Sequence, residues 1–148
     1  MTPISPYHVR RSAWIDASRD EVWKRFESLE AMRTWYGIGH TLVAYEPRLG
    51  GHVVTTVDIE GIVHRFSGDV VAFEPCCEIT FEQFWEGTTW LGPTSVTIRL
   101  TELDGGTLVE LFHHGYERTG EHIGDTLDGF ESGWTNRHVH ALRELVAA

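Results

Sequence analysis

Basic residues are scarce in this chain, and lysine is nearly missing: of 12 Lys and Arg among 148 residues, only Lys24 is a lysine. Against 22 Asp and Glu the formal net charge is −10. That balance argues against broad nucleic-acid binding, because affinity for a phosphate backbone needs clustered Lys and Arg. No apolar run approaches the ~18 residues of a membrane span, and the segment from Met1 to Arg11 has no apolar signal core. The expectation is a soluble, cytoplasmic protein with no membrane partner. Cysteine is limited to the adjacent Cys76 and Cys77. Neighbours on a strand face opposite sides, so a bridge between them would be strained; free thiols in a reducing compartment are expected. Repeats, low-complexity stretches and linkers are absent. So are the HExxH and Cys-based metal spacings, the GxSxG elbow, GxGxxG and the P-loop. No metal site, serine nucleophile or nucleotide cofactor is therefore expected.

What the chain does have is an ordinary globular composition, with 41% hydrophobic and 23% charged residues. At this length one domain over residues 1–148 is expected, able to bury roughly two-thirds of the surface its unfolded chain would expose. Tryptophan is over-used, with six residues. Its large flat face and single N–H suit both core packing and the walls of an apolar pocket.

His8 to Ile15 reads as an opening strand. Ser18, three residues before Glu21, has capping-box spacing, and Val22, Trp23 and Phe26 follow at helical intervals. Leu29, Met32 and Trp35 mark a second short helix ending at Gly37 and Gly39. From Thr41 to about Gly115 the period becomes two. Val53, Thr55, Val57 and Ile59 form one row, and Ile62, His64 and Phe66 another. Ile79, Phe81, Gln83 and Trp85 continue it, as do Val96, Ile98 and Leu100, and then Val109, Leu111 and His113. Turn signals stand at Glu60-Gly61, Glu74-Pro75 and Asp104-Gly105-Gly106. Such strands form an antiparallel sheet covered on one face. From about Gly120 to Val146 helical spacing returns through Ile123, Leu127, Phe130, Trp134, His138 and Leu142, with Gly129 and Gly133 weakening its first half. The reading is an α+β fold: a meander of six to seven strands, a long C-terminal helix across it, and two short helices closing one end.

Several short motifs then fall in a familiar order. They are Val22-Trp23, Trp35-Tyr36, Glu46-Pro47-Arg48-Leu49-Gly50-Gly51, Gly68-Asp69-Val70 with Glu74-Pro75, Thr107-x-Val109-x-Leu111-x-His113-x-Gly115, and Gly133-Trp134. Together they resemble the START-like, or SRPBCC, superfamily, in the branch of homologues of the chaperone (heat-shock protein) ATPase activator. The resemblance implies a helix-grip fold, with a curved sheet around the C-terminal helix and a deep cavity that in this superfamily receives lipids, polyketides or other hydrophobic molecules. It also implies one departure: four residues after Trp134, where the branch has an aliphatic residue, this chain has His138.

The alternation places His64, His113 and His138 inward. Imidazoles titrate near neutrality, so His113 and His138 are the candidate general acid/base groups for an enolisable substrate; the alternative is that they are hydrogen-bonded core residues. His113-His114 with Glu121, His122 and Asp125 is the densest set of metal-ligand types, but adjacent strand residues diverge and helical acids are commonly solvated. Aromatic residues carry the better signal. Phe66, Phe81, Trp85, Tyr116 and Trp134 are expected to converge between sheet and helix. Trp90 stands near the open end on a lid-like loop, Glu86 to Pro93, and His64, Gln83, His113 and His138 supply polar contacts. Three functions follow as expectations: binding of a small hydrophobic, aromatic or polyketide-like molecule; a cofactor-free cyclase/aromatase-like enzyme; or a chaperone-associated stress-response module, as monomer or homodimer.

Overall fold

The structure is a computed structural model and describes residues 1–147; Ala148, the last residue of the expected domain, lies outside them. Strand β1 (His8–Ile15) is followed by α1 (Arg19–Trp23), a 3-10 turn (Lys24–Phe26) and α2 (Leu29–Arg33). Both helices start where the sequence supplies a cap. The Ser18 hydroxyl accepts from the Glu21 amide and the Ser28 hydroxyl from the Ala31 amide, satisfying donors that a helix start leaves open.

Six strands follow: β2 (Thr41–Tyr45), β3 (His52–Ile59), β4 (Ile62–Glu74), β5 (Glu78–Trp85), β6 (Thr94–Leu103) and β7 (Gly106–His114). Every pairing is antiparallel, in the order β1-β7-β6-β5-β4-β3-β2. The meander from β2 to β7 is thus extended by β1 beside β7, and β1 and β2 are the two edges of the sheet. The β3–β4 and β6–β7 turns carry positive φ at Glu60 and Gly61 and at Asp104 and Gly105, the backbone that two-residue hairpins need for strands of right-handed twist.

Register decides which side chains share the concave face. Val53 pairs Gly68, Thr55 pairs Phe66 and Val57 pairs His64. Phe66 pairs Trp85 in turn. On the other half, Phe81 pairs Val96, Val96 pairs His113 and His113 pairs Val9. The expected alternation therefore holds along these rows, while two pairings shift register, β2–β3 between Leu42 and Ala44 and β4–β5 further along the sheet. The β4–β5 register shifts between Val70 and Ala72, so one residue is left over and both Val70 and Phe73 turn inward; such bulges bend a strand and increase its twist. At Gly68 a Cβ would stand 2.1 Å from the Glu82 carbonyl oxygen, so the two strands approach there more closely than any side chain allows.

The C-terminal region differs from the single long helix expected. It forms α3 (Ile123–Gly133) and α4 (Arg137–Ala147), with Trp134 extended between them. The break has visible causes. Glycines lower helix propensity in this stretch. The Trp134 carbonyl accepts from the Arg11 guanidinium at 2.9 Å instead of from a following turn. The Thr135 hydroxyl then accepts from the Arg137 amide at 3.2 Å and starts the next helix. Arg11 also reaches the Glu131 carbonyl and carboxylate, both at 3.1 Å, so β1 holds the joint from below.

Val139 and Leu142 of α4 are fully buried against the sheet, among Ala13, Ile15, Val109 and Leu111. At the other end Trp23 stacks on Phe26 at 5.0 Å, and Phe26 meets Trp35 at 5.1 Å. Trp35 donates to the Arg25 carbonyl and Tyr45 to the Phe26 carbonyl, which fixes α1 and α2 over the sheet's end. No helix among the described residues is long and apolar enough to cross a membrane. Replacing Leu142 with Ala leaves a cavity under α4 and should cost about 2–5 kcal/mol; urea unfolding measures it, and an unchanged midpoint would contradict this packing.

Candidate functional site

With α4 over β1 and β7, and α1 and α2 at one end, the concave faces of β3, β4 and β5 are left without a helix directly on them. A cavity of about 650 Å³ lies there, within the range of small-molecule sites. Its floor is Thr55, Val57, Phe66, Gln83 and Trp85; its roof comes from α3 and from Trp134. Tyr36 and the Ile38–His40 segment close one end, and Trp90 the other.

Of the residues expected at the site, Phe66, Gln83, Trp85 and Trp90 line the cavity, as do His113, Trp134 and His138. Phe81 and Tyr116 do not. Phe81 lies behind Tyr36 with ring centres 6.2 Å apart, and Tyr116 behind His113 and Phe130 at 5.0 and 5.3 Å. Both are fully buried and support the wall from outside. His64 also stands outside the lining, where its Nδ1 accepts from the Trp85 indole at 3.3 Å. That bond uses the indole's only donor and fixes the ring that stacks on Phe66 at 5.4 Å. Trp90, expected on an exposed lid, is instead 7% exposed and wedged 5.9 Å from Trp85 and 6.2 Å from Phe130. Its neighbour Leu91 is exposed, and the Leu91 amide is tied to the Thr119 carbonyl at 2.9 Å.

The two candidate acid/base histidines differ sharply. The Trp134 indole N–H can only donate, and it meets Nδ1 of His113 at 2.8 Å. The proton of His113 therefore sits on Nε2, which donates to the Thr94 hydroxyl at 2.8 Å, and that hydroxyl donates to the Gln83 carbonyl at 3.2 Å. Both nitrogens are engaged, and burial, reinforced by the charge of His114, pushes the imidazole down to about 3. The chain of bonds leaves His113 no lone pair for a base; its task is to hold Trp134 in the roof. His138 has neither constraint. It is 4% exposed, and among the described residues neither ring nitrogen has a hydrogen-bond partner. Burial, then His40 and Arg137, lower it to about 4 against an upward pull from the Ile38 backbone, which lies outside hydrogen-bonding geometry.

Two further side chains belong to this end of the cavity. His40 stacks on His138 with ring centres 5.1 Å apart and planes 20° from parallel, and burial lowers it to about 4. Tyr36 approaches both rings edge-on or tilted, at 4.9 and 5.6 Å, and its hydroxyl has no partner. In the sequence Tyr36 stands out only through the Trp35-Tyr36 pair, and His40 does not stand out at all, because it lies in an irregular segment between α2 and β2 where no periodicity assigns a face. The Gly37-x-Gly39-His40 spacing was the available sign. Among the described residues no three His, Cys, Asp or Glu side chains converge. His114 faces away from His113, bonded to Thr97 at 2.9 Å, while Glu121, His122 and Asp125 are exposed.

With this geometry in view, residues 16–147 match the family model described as Activator of Hsp90 ATPase homolog 1-like protein. The chain belongs to that family, and so to the START-like (SRPBCC) superfamily. Its fold is shared by CV1439 from Chromobacterium violaceum (19% identity over 97% of this chain and 99% of that one, TM-score 0.71). CalU16 from Micromonospora echinospora matches at 23% identity over 98% of this chain and 82% of that one, with TM-score 0.64. DynU16, described as a protein in the dynemicin biosynthetic locus, matches at 23% over 97% of this chain and 48% of its own, with TM-score 0.69. At such identities the likeness is one of fold. No curated protein matches the chain.

The lowered histidines give this family member a stability profile with a definite sign. His40, His113 and His138 lie below their ordinary 6.5, so the unfolded chain takes up these protons before the folded one does. Their contribution is complete above about 6.5 and is lost as pH falls toward 4 and 3. Urea midpoints should drop from pH 7 to pH 4.5, each ring contributing at most ~1.4 kcal/mol per pH unit, and His138→Leu should flatten the drop. A flat profile in the unaltered protein would contradict burial of neutral imidazoles.

Proposed function

We propose that this protein binds a small hydrophobic molecule, aromatic or polyketide-like, in the cavity between the sheet and the C-terminal helices. The observation that carries this reading is the unfilled volume of about 650 Å³ beneath α3. Large rings frame it, with Phe66, Trp85 and Trp90 on one side and Trp134 and Tyr36 on the other, and Trp90 meets Phe130 of the roof at 6.2 Å. Planar apolar walls favour a planar apolar guest, since offset and edge-on ring contacts add to the area removed from water. The family's description names activation of a chaperone ATPase, and one relative in fold is described by a biosynthetic locus. The second is in keeping with a natural-product guest, while the cavity itself is the stronger support.

A second reading, an acid/base catalyst of the cyclase/aromatase type, draws on His138 alone. Its imidazole is neutral down to about pH 4 and borders the cavity with its nitrogens unengaged, as a general base requires. In such an enzyme His138→Leu would lower turnover by ~10²-fold or more without loss of stability at pH 7.

Calorimetric titration with a flavonoid, a hydroxyanthraquinone and a long-chain fatty acid tests binding. The aromatic guests should bind saturably. Val57→Trp, which enlarges a floor residue where a strand accepts aromatics, should weaken them at least ~10-fold, about 1.4 kcal/mol, while the protein stays folded. Absence of saturable binding by all three, or binding unaffected by Val57→Trp, would contradict a guest in this cavity.

A further inference from the structure

Resting on the binding reading above, the geometry points to the polar selection that the cavity exerts. We propose that Tyr36 and His138 form a recognition end for an uncharged planar guest bearing a hydroxyl beside a carbonyl, with His40 as the movable ring that covers it.

The argument starts from unmade hydrogen bonds. The Tyr36 hydroxyl and both nitrogens of His138 are buried without partners, and so is Nε2 of His40. Each such group left unmade costs on the order of 1–3 kcal/mol, and a fold rarely collects several in one place without use for them. Elsewhere in the cavity wall the polar side chains are satisfied: His113 by Trp134 and Thr94, and the Gln83 amide by the Thr55 hydroxyl at 3.1 Å. Of the six buried side-chain polar atoms without a partner among the described residues, four therefore gather at the end where Tyr36, His40 and His138 meet; the other two, the Tyr116 hydroxyl behind the wall and Arg19 Nε, stand apart and do not line the cavity.

The chemistry of the deficit defines the guest. A neutral imidazole offers one donor and one acceptor, and a phenol hydroxyl can be either. A guest with a hydroxyl and a carbonyl on one edge supplies the complement to both in one plane. A carboxylate does not, because burial keeps these imidazoles neutral at pH 7. Glu121 and Asp125 at the cavity margin also oppose an anion, with Arg137 the cation among the lining residues.

Access is through His40. The unpartnered atoms are closed to solvent, and His40 lies over His138 as a stacked ring. Tyr36 and His138 are nearly inaccessible, whereas His40 is half-buried. It sits on a segment with Gly37 and Gly39 before it, the latter at φ +83°, so it is the member that can leave. With His40 displaced from the face of His138, a flat guest can bring its polar edge into the plane of the imidazole, where the ring nitrogens donate and accept, and reach the Tyr36 hydroxyl beside it.

Three probes of one shape separate these terms: anthracene, 1,8-dihydroxyanthraquinone and anthraquinone-2-carboxylate, titrated by quenching of Trp fluorescence. The dihydroxyanthraquinone should bind at least ~10-fold more tightly than either of the others, the return expected from recovering one or two buried hydrogen bonds. Tyr36→Phe and His138→Leu should each reduce that preference several-fold. Tyr36→Phe should at the same time leave the urea midpoint unchanged or raised, since it removes an unpaired hydroxyl, and this separates recognition from folding. His40→Ala should keep the preference and tighten binding. Equal binding of anthracene and the dihydroxyanthraquinone, or a preference that survives both substitutions, overturns the polar recognition while leaving an apolar guest site standing. No saturable binding by any probe overturns both.

Discussion

A sheet of seven strands is wider than the helices laid on it can cover. At ~4.8 Å between neighbours the concave face spans about 29 Å, whereas a helix with its side chains is about 10–12 Å across. Helices α3 and α4, each of 11 residues, cannot hide it all. Helix α4 seals β1 and β7 with Val139 and Leu142, and the rings of Trp23, Phe26 and Trp35 seal the end under α1 and α2. The faces of β3 to β5 remain, and bulky rings frame the space above them without filling it. The cavity is in this sense a consequence of coverage, and the break at Trp134 shapes its roof.

That break ties the two ends of the chain together. Arg11 on β1 holds the Trp134 carbonyl, while the Trp134 indole donates to His113 on β7. Through Thr94, the same chain of bonds reaches the Gln83 carbonyl on β5. One short relay thus links roof and floor, and each member is satisfied, as buried polar networks must be to stabilise a fold. The end occupied by Tyr36, His40 and His138 is built on the opposite rule, with rings packed and polar atoms unpaired. A cavity with one satisfied wall and one deficient end has a preferred direction for a guest.

Most of the architecture was legible in the chain. Period-two rows placed His113, Gln83, Trp85 and Phe66 inward correctly, because a face is a property of local alternation and turn chemistry fixed the hairpins at Glu60-Gly61 and Asp104-Gly105. Ser18 announced its helix by spacing alone. Inward orientation did not separate lining from support: Phe81 and Tyr116 face the interior as expected, yet Tyr36 and Phe130 stand between them and the cavity. Trp90 looked exposed in a polar loop, and only the rings it meets across that end reveal its burial.

By itself, then, the sequence determined the strands and their faces, the short capped helices, the acidic surface and the supply of rings and imidazoles facing inward. These follow from periodicity, capping and composition, which act over a few residues. Tertiary structure alone decided which of those imidazoles is engaged and which is not. His113 and His138 both occupy inward positions on regular elements, and no local pattern distinguishes them. The difference lies in a Trp134 indole set by an Arg11 contact more than a hundred residues away in the chain, and in a His40 ring delivered by an irregular loop. Hydrogen bonds between distant segments depend on where the whole fold brings them, and that information does not reside in any one stretch of the chain.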